Sequence, residues 1–422
     1  MYKITLKLMR LIALTLIVSH CAQSGYTPTQ KNRHVHRDPE VDLDAPGIIA
    51  RWGYPVEVHQ TVTEDGYILT LHRIPFGKQR NNRISNYRQN SVALNEAGDH
   101  RRPVIFLQHG LEACSDDWLV NMPWQAAGYI FADAGYDVWM GNFRGNVYSR
   151  QHLTMQPSDV RFWDFSFDEM ARFDVPAMIE KALNVSGENE LHYVGHSMGA
   201  MAALMSFSQN REVASKVKSL FALAPVAYLG HIGGLLKYVA PYTNQIKWMI
   251  KVLGGWGEFL PSDGLVHTAA QHLCRKWPSN QLCDNVLFLI AGADSHQMNQ
   301  TRLPVYLNHY PAGTSTRTIV HFGQNVQSNK FQAYNFGARR NWQRYGQEHP
   351  PEYDLSKMTV PTFIFSGSLD ILANPVDVRL LVEQLNSTVK FWTELHNFNH
   401  PDFIWGLNAA GQVYYPMLQL LR

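Results

Sequence analysis

The sequence lacks the charge bias and the repetitive composition that characterise several classes of protein. Charged residues are only 17% of its 422 residues, and 37 Lys and Arg against 35 Asp and Glu give a formal net charge of +2. There is no acidic or basic tail, internal repeat or low-complexity tract, which excludes disordered and collagen-like chains. Nucleic acid is disfavoured as the main partner, because binding phosphates needs a clustered positive field. The 19 histidines would add such charge only in an acidic compartment.

Motifs for nucleotides and metal ions are missing as well. The chain has no P-loop, no HExxH helix and no Cys/His spacing typical of zinc. Residues 219–236 carry no formal charge, but Pro225, His231, Gly233 and Gly234 interrupt them, so they do not resemble a membrane span. The sequence predicts a protein with no cofactor, no metal and no transmembrane segment, and it identifies no protein partner.

The first residues have the pattern of a secretory signal peptide. Lys3, Lys7 and Arg10 precede the apolar run 11–18, and small residues follow it. We expect a signal peptide at 1–24, cleaved after Ser24. The alternative is an uncleaved anchor, although the apolar run is short for a membrane span. The predicted location is outside the cell or in the lysosome.

Cysteines are few, and their positions suit an oxidising compartment. Cys21 leaves with the predicted signal peptide, whereas Cys274 and Cys283 are close enough in sequence to close a short loop. Cys114 is left over and is expected to be buried and unreactive. Three acceptor tripeptides predict N-glycosylation, at Asn184, Asn299 and Asn386.

Short apolar segments alternate with helical patterns along most of the chain. Asp65-Gly66 separates the first two, a turn typical of a β-hairpin. The predicted strands are 56–63, 67–74, 103–108, 136–140, 191–194, 217–224, 360–366 and 389–393, and the clearest predicted helices are 167–183 and 198–209. Such alternation predicts the α/β class, with a mostly parallel central sheet flanked by helices.

Residues 228–357 interrupt this alternation, since they contain no comparable series of strands. We interpret them as a mainly helical cap inserted over the carboxyl edge of the sheet. The predicted organisation is a signal peptide at 1–24, a first core part at 25–227, a cap and lid at 228–357 and a second core part at 358–422.

A candidate nucleophile lies in Gly195-His-Ser-Met-Gly199, which matches G-x-S-x-G. An apolar strand precedes the motif and a helical pattern follows it, the context in which Ser197 would stand on a sharp turn with its hydroxyl exposed. The alternative is a tight strand-to-helix turn with an inert serine.

A serine needs a base to remove its proton, and in this arrangement an acid and then a histidine follow along the chain. Asp370 comes just after the predicted strand 360–366, and His400 follows the strand 389–393. Both positions lead to the same sheet edge as Ser197. His396 and Asp402 are local competitors whose positions fit less well.

An oxyanion hole needs two backbone N–H donors. The residue after the nucleophile, Met198, supplies one, and Leu111 in the loop after the strand 103–108 supplies the other.

These residues belong to a series of motifs that resembles the acid lipases, the family of gastric lipase and lysosomal acid lipase. The similarity covers nearly the whole mature chain and is carried by 51–55, 63–69, 108–111, 132–139, 141–146, 165–170, 191–197, 222–227, 311–315 and 400–405. The resemblance implies an α/β-hydrolase core with a cap and lid, and hydrolysis of neutral lipid esters.

The family's roles then fall on Ser197, Asp370 and His400 as the triad, with Leu111 and Met198 at the oxyanion positions. The resemblance also implies the disulfide Cys274–Cys283. Three positions depart from the family pattern: Met198 replaces the usual Gln, Ala291 replaces the free cysteine of gastric members, and Cys114 replaces a serine.

Within the predicted cap, Ile246, Met249, Ile250 and Leu253 recur at helical spacing. With Lys247 and Lys251 facing outward, residues 243–253 would form an interfacial helix. The alternative is a cap helix packed on its own core. The glycines at 254, 255 and 257 would provide a hinge beside it.

The sequence therefore predicts a secretory-pathway serine lipase that acts on triacylglycerol or sterol esters at a lipid–water interface. Two alternatives stay open: a carboxylesterase for smaller soluble esters, and a non-catalytic lipid-binding protein on the same fold.

Overall fold

The computed structural model describes residues 38–78, 102–252, 255–259 and 295–421. The predicted signal peptide, Cys274, Cys283 and Ala291 lie outside these ranges. The strands are β1 (Glu57–Val62), β2 (Tyr67–Ile74), β3 (Val104–Gln108), β4 (Asp137–Gly141), β5 (Gln151–His152), β6 (Leu191–His196), β7 (Val217–Leu223), β8 (Glu258–Phe259), β9 (Thr314–Ser315), β10 (Thr362–Gly367) and β11 (Val389–Leu395).

A central sheet has the strand order β1-β2-β4-β3-β6-β7-β10-β11, with β5 paired to β2. The strands from β4 to β11 in this order run parallel, whereas β2 is antiparallel to β1, β4 and β5. Every residue of β3, β4 and β6 is buried, as expected for parallel strands covered on both faces. The predicted α/β class with a mostly parallel sheet is confirmed.

The register of the central strands brings their carboxyl ends to one edge. Gln108, the last residue of β3, pairs with Gly141 of β4 and with Gly195 of β6. On the other side, Leu223 at the end of β7 pairs with both His196 and Phe365. The loops after β3, β6 and β10 therefore leave the sheet side by side.

Helices cover both faces of the sheet and form most of the described part of the interval 228–357. The α-helices are α1 (Ala45–Arg51), α2 (Ala127–Asp133), α3 (Phe167–Glu169), α4 (Val175–Ser186), α5 (Met198–Gln209), α6 (Arg211–Ser215), α7 (Gly234–Val239), α8 (Thr243–Val252), α9 (Leu303–His309), α10 (Thr316–Ser328), α11 (Ala338–Tyr345), α12 (Pro375–Leu385), α13 (Asp402–Trp405) and α14 (Tyr415–Leu420). Shorter 3-10 helices are Pro39–Val41, Ser115–Trp118, Val160–Trp163, Ala240–Tyr242, Gln300–Arg302, Leu355–Lys357 and Asn386–Thr388. Among the residues described, no helix is both long and apolar enough to cross a membrane.

The prediction of one continuous helix at 167–183 is wrong, because three successive elements occupy these residues. A capping box between Ser166 and Glu169 starts α3, a π-helical turn follows at Met170–Asp174, and α4 begins at Val175. Pro176 lies at the start of α4, where its missing N–H cannot continue the regular hydrogen bonding of a preceding α-helix. By contrast, β2 and α5 have the predicted bounds.

Candidate active site

Ser197 occupies a strained turn between β6 and α5. Its backbone has φ 53° and ψ −117°, a left-handed region that is costly for any residue with a side chain. The N–H of Ser197 donates to the carbonyl oxygen of Leu223 at 2.9 Å, which holds the turn against β7. Ser197 is buried, with only 7% of its surface exposed.

Two glycines allow this turn to exist. A Cβ on Gly199 would lie 2.4 Å from the carbonyl oxygen of Gln108, and a Cβ on Gly195 would lie 2.5 Å from the backbone nitrogen of Ala200. Both contacts are with backbone atoms that cannot rotate away. The close approach of α5 to β3 therefore excludes a larger residue at Gly199, and the tight turn from β6 into α5 excludes one at Gly195.

Asp370 and His400 meet at the same edge. Nδ1 of His400 lies 2.8 Å from Oδ2 of Asp370, and because a carboxylate only accepts, Nδ1 carries the proton. The other oxygen of Asp370 accepts the backbone N–H groups of Leu372 and Ala373, both at 2.8 Å. The carboxylate is thus fixed from both sides, and Nε2 of His400 keeps its lone pair.

The local competitors do not join this pair. The side chain of His396 is exposed to solvent. Asp402 accepts the backbone N–H of Asn399 at 2.7 Å, so it shapes the turn around His400. The structure brings together the acid and the histidine that the sequence selected.

His196 connects the serine turn to the histidine loop. Its Nε2 donates to the carbonyl oxygen of His400 at 3.1 Å, and the two rings are 4.9 Å apart. Burial and the neighbouring His400 lower the pKa of His196 well below its usual value, so the ring is neutral. The sequence did not single out this residue, since it is a variable position of the motif.

The loop after β3 lies against Ser197. A Cβ added to Gly110 would be 3.2 Å from the Cβ of Ser197 and from Nδ1 of His196, so a larger residue would have to push the loop away by a few tenths of an ångström. Met198 is the first residue of α5, where backbone N–H groups have no partner inside the helix. Met198 therefore follows Ser197 directly in sequence, and Gly110, the residue before Leu111, approaches Ser197 in space.

A buried histidine orients this loop. Nδ1 of His109 donates to the carbonyl oxygen of Gly110 at 2.8 Å, while its Nε2 accepts from the N–H of Phe143 at 3.1 Å and from Nδ2 of Asn146 at 3.2 Å. In a planar trans peptide the N–H points opposite to the C=O, so the N–H of Leu111 points away from His109. Burial lowers the pKa of His109 to about 4, which keeps the ring neutral. The sequence predicted the loop but not this contact.

Glu112 follows the loop in an unusual environment. It has φ 59° and is almost fully buried, and the backbone N–H of Gly313 donates to its carboxyl group. Burial and the charge of Glu258 raise its pKa well above the usual value, against the effect of that hydrogen bond. Its backbone carbonyl accepts the N–H of Ala312 at 2.6 Å, which ties the loop to the interval 228–357.

A buried ion pair lies behind the same loop. Oδ2 of Asp116 is 2.7 Å from Nδ1 of His309, and the hydroxyl of Tyr148 donates to both carboxylate oxygens. Burial alone would lower the pKa of His309, but its bond to Asp116 raises it. The histidine is on α9, so this pair also joins the core to the interval 228–357.

The expected outward direction of Lys247 in the helix 243–253 is wrong, while the side chain of Lys251 and residue Leu253 lie outside the described part of the chain. Lys247 is half-buried and donates to the carbonyl oxygen of Asn335 at 2.8 Å, whereas Trp248 is 67% exposed. Ile246, Met249 and Ile250 are only partly buried. A helical pattern cannot show which polar residue has a partner across the interface, and here the backbone carbonyl of Asn335 draws the lysine inward.

The remaining predicted sites have simple surroundings. Cys114 is buried and free, and burial raises the pKa of its thiol, so it is protonated. Asn184 and Asn386 are exposed, and Asn299 is partly so. In the described ranges, no cluster of three or more His, Cys, Asp or Glu could hold a metal ion.

Two family models and several curated proteins match this chain. Residues 45–122 match a partial α/β-hydrolase lipase region, and residues 103–407 match the α/β hydrolase fold. A solved structure from Sulfolobus solfataricus has a TM-score of 0.55 at 12% identity and covers 87% of this chain and 93% of its own, which supports the fold alone.

Three curated relatives align over nearly their whole length. Lipase lipl-1 of Caenorhabditis elegans is 44% identical over 91% of this chain and 93% of its own. Human gastric triacylglycerol lipase is 40% identical over 91% and 92%, and human lysosomal acid lipase/cholesteryl ester hydrolase is 40% identical over the same shares.

Proposed function

This chain belongs to the acid lipase family of α/β hydrolases and is a carboxylic ester hydrolase, and from that premise we propose that it hydrolyses neutral lipid esters through Ser197, His400 and Asp370. The observation that carries the assignment is the 2.8 Å bond from His400 to Asp370 at the sheet edge where Ser197 stands. Triacylglycerols and sterol esters are the proposed substrates, since the names of two relatives specify these esters.

The proposed reaction has two acyl-transfer steps. Nε2 of His400 takes the proton of Ser197 as its Oγ attacks the ester carbonyl carbon. The protonated imidazole, held by Asp370, then gives this proton to the departing alcohol, leaving an acyl-serine. Water, deprotonated by the same nitrogen, releases the fatty acid and restores the serine.

The oxyanion formed in each step would accept hydrogen bonds from the backbone N–H groups of Met198 and Leu111. These are backbone donors, so the methionine side chain does not remove either. We assign His109 as the positioning residue of this hole, because its bond to Gly110 sets the direction of the Leu111 N–H.

The other predictions complete this proposal. Residues 228–357 would form the cap over the site, and several contacts, including that of Ala312 with Glu112, tie them to the core. A signal peptide at 1–24, the disulfide Cys274–Cys283 and glycans at Asn184, Asn299 and Asn386 would accompany secretion or delivery to the lysosome.

A Ser197→Ala variant tests the proposal against its alternatives. The native chain should release fatty acid from triacylglycerol or sterol ester emulsions and react with a fluorophosphonate, and the variant should do neither, with a loss on the order of 10⁶-fold in kcat. Turnover of soluble esters alone by the native chain would indicate an esterase. Lipid binding without fluorophosphonate labelling would indicate a non-catalytic lipid carrier.

A second serine provides the matched control. Ser219 also bonds a histidine, with its Oγ 2.7 Å from Nδ1 of His192, but this pair lies within the sheet on β6 and β7. Ser219→Ala should keep full labelling and turnover. Loss of labelling in this control would contradict the assignment of Ser197.

A further inference from the structure

Helix α11 presents cations and an aromatic ring to solvent. Arg339, Arg340 and Arg344 are exposed on it, and Trp342 between them is 61% exposed. A large indole left in water beside arginines is unusual for a helix that has only its own core to contact.

More positive charge lies directly beneath α11. The guanidinium of Arg317 stacks on the rings of Tyr334 and Phe336 at 4.7 and 4.8 Å, and Nζ of Lys247 lies 4.8 Å from the ring centre of Tyr334. Burial and the charges of Arg340 and Arg317 lower the pKa of Lys247 to about 8, a sign that the local field is positive.

Carboxylates neutralise only the inner part of this cluster. Glu169 contacts Arg344 at 3.0 Å, and Asp164 contacts Arg317 at 2.7 Å. Within the described part of the chain, neither Arg339 nor Arg340 has a carboxylate oxygen within ion-pair distance. The outer cations are therefore unmatched.

The neighbouring helix α8 extends the surface. Lys247 of α8 donates to the carbonyl oxygen of Asn335, and Asn341 of α11 donates to the side-chain oxygen of the same residue at 2.9 Å. The residues that follow these two anchors are the exposed Trp248 and Trp342. Each of the two helices thus carries an exposed tryptophan next in sequence to the residue that anchors it to Asn335.

We propose that Arg339, Arg340, Trp342 and Trp248 form a docking surface for a negatively charged lipid layer. The unmatched arginines would meet anionic headgroups, and the indoles would enter the interface, where tryptophan is favoured. This inference rests on the proposed function: it names the kind of lipid surface from which the enzyme would draw its neutral substrate. An acidic protein is the other occupant that charge alone would allow.

Vesicle binding tests the proposal on the full chain. Phosphatidylcholine vesicles with and without phosphatidylserine would be offered to the Ser197→Ala protein, so that no hydrolysis disturbs them. We expect tighter binding to the anionic vesicles and weaker binding as salt increases. Equal binding to both vesicle types, or binding to acidic proteins alone, would overturn the proposal.

Arg339→Gln with Arg340→Gln should weaken binding to anionic vesicles, by roughly fivefold for each cation. Lys218→Gln with Lys390→Gln is the charge-matched control. These exposed lysines are the second residues of β7 and β11, so they lie at the amino ends of these strands and outside the proposed docking surface. Equal loss in both variants would contradict the docking surface. Thermal unfolding confirms that each variant folds.

A Trp342→Ser variant examines the aromatic contribution separately. It should reduce binding to both vesicle types, because the indole contributes apolar contact rather than charge. No change in binding would refute its role. Ester hydrolysis by the native chain tests the proposed function independently, so a failure of either can be recognised.

Discussion

His196 and His400 are joined by a 3.1 Å hydrogen bond from the ring of the first to the backbone of the second, across 204 residues of sequence. The bond ties the residue before Ser197, the proposed nucleophile, to His400, the proposed base. The distance between serine and imidazole therefore depends on a ring that takes no part in the chemistry.

His196→Phe should lower kcat on a soluble ester by about 10- to 100-fold with little change in KM, because a small misplacement of the base costs rate rather than binding. His196→Gln, whose amide can still donate to the carbonyl of His400, should recover much of the rate. Equal kcat values for the two variants in steady-state assays would contradict this prediction.

Asp370→Asn should reduce kcat by about 10³- to 10⁴-fold near neutral pH. The amide oxygen can keep the bonds to Leu372 and Ala373, and the amide nitrogen then faces His400. That nitrogen donates, so the imidazole must accept at Nδ1 and carry its proton on Nε2, where it cannot act as a base. KM and the thermal unfolding midpoint should change little, and a large fall in either would indicate a structural role instead.

Gly199→Ala should destabilise the fold by about 3 kcal/mol or more, because the new methyl group would overlap the carbonyl oxygen of Gln108. Gly411→Ala is the matched control, since a Cβ there meets no atom within 4 Å. Urea unfolding should show a small or favourable effect for the control. Comparable losses in both would mean that the close packing of the turn is not the cause.

The pair Asp116–His309 should stabilise the protein most between about pH 4 and pH 6.5. The raised pKa of His309 makes its contribution complete below its unfolded value and lost as pH rises. Burial opposes ionisation of Asp116, but bonds from His309 and Tyr148 lower its pKa, so its contribution is present above its unfolded value and lost in acid. Between these two unfolded values both contributions to stability are complete.

His309→Gln should therefore cost about 3 kcal/mol of unfolding free energy near pH 5 and about 1 kcal/mol near pH 9. His231→Gln is the comparison, because His231 bonds Asp377 at 2.8 Å, close to the 2.7 Å of the buried pair, but its side chain is 54% exposed. It should cost less than about 1 kcal/mol at either pH. A cost for His309→Gln that grows with pH would reverse the sign of the argument.

Much of the fold was predictable, because strands of a buried parallel sheet are continuous apolar runs with turns between them. The bounds of β2 and α5 agree with the prediction, and the other strand ends differ by one or two residues. The prediction of one helix at 167–183 was wrong because a proline and a π-helical turn interrupt the α-helical backbone hydrogen bonds, which hydrophobic periodicity does not show. The predicted outward direction of Lys247 was wrong because its hydrogen-bond partner, the carbonyl of Asn335, is 88 residues away in sequence.

The sequence by itself determined the class of the fold, the strained serine turn and the identities of Ser197, Asp370 and His400 as candidates. These depend on local motifs and on chain order, which a parallel sheet converts into position. Only the tertiary structure decided which histidine faces Asp370, how His109 orients the loop at Gly110 and which side of α8 faces inward. Each is a contact between segments distant in the chain or a direction of a single bond, and side-chain packing, not local pattern, sets both.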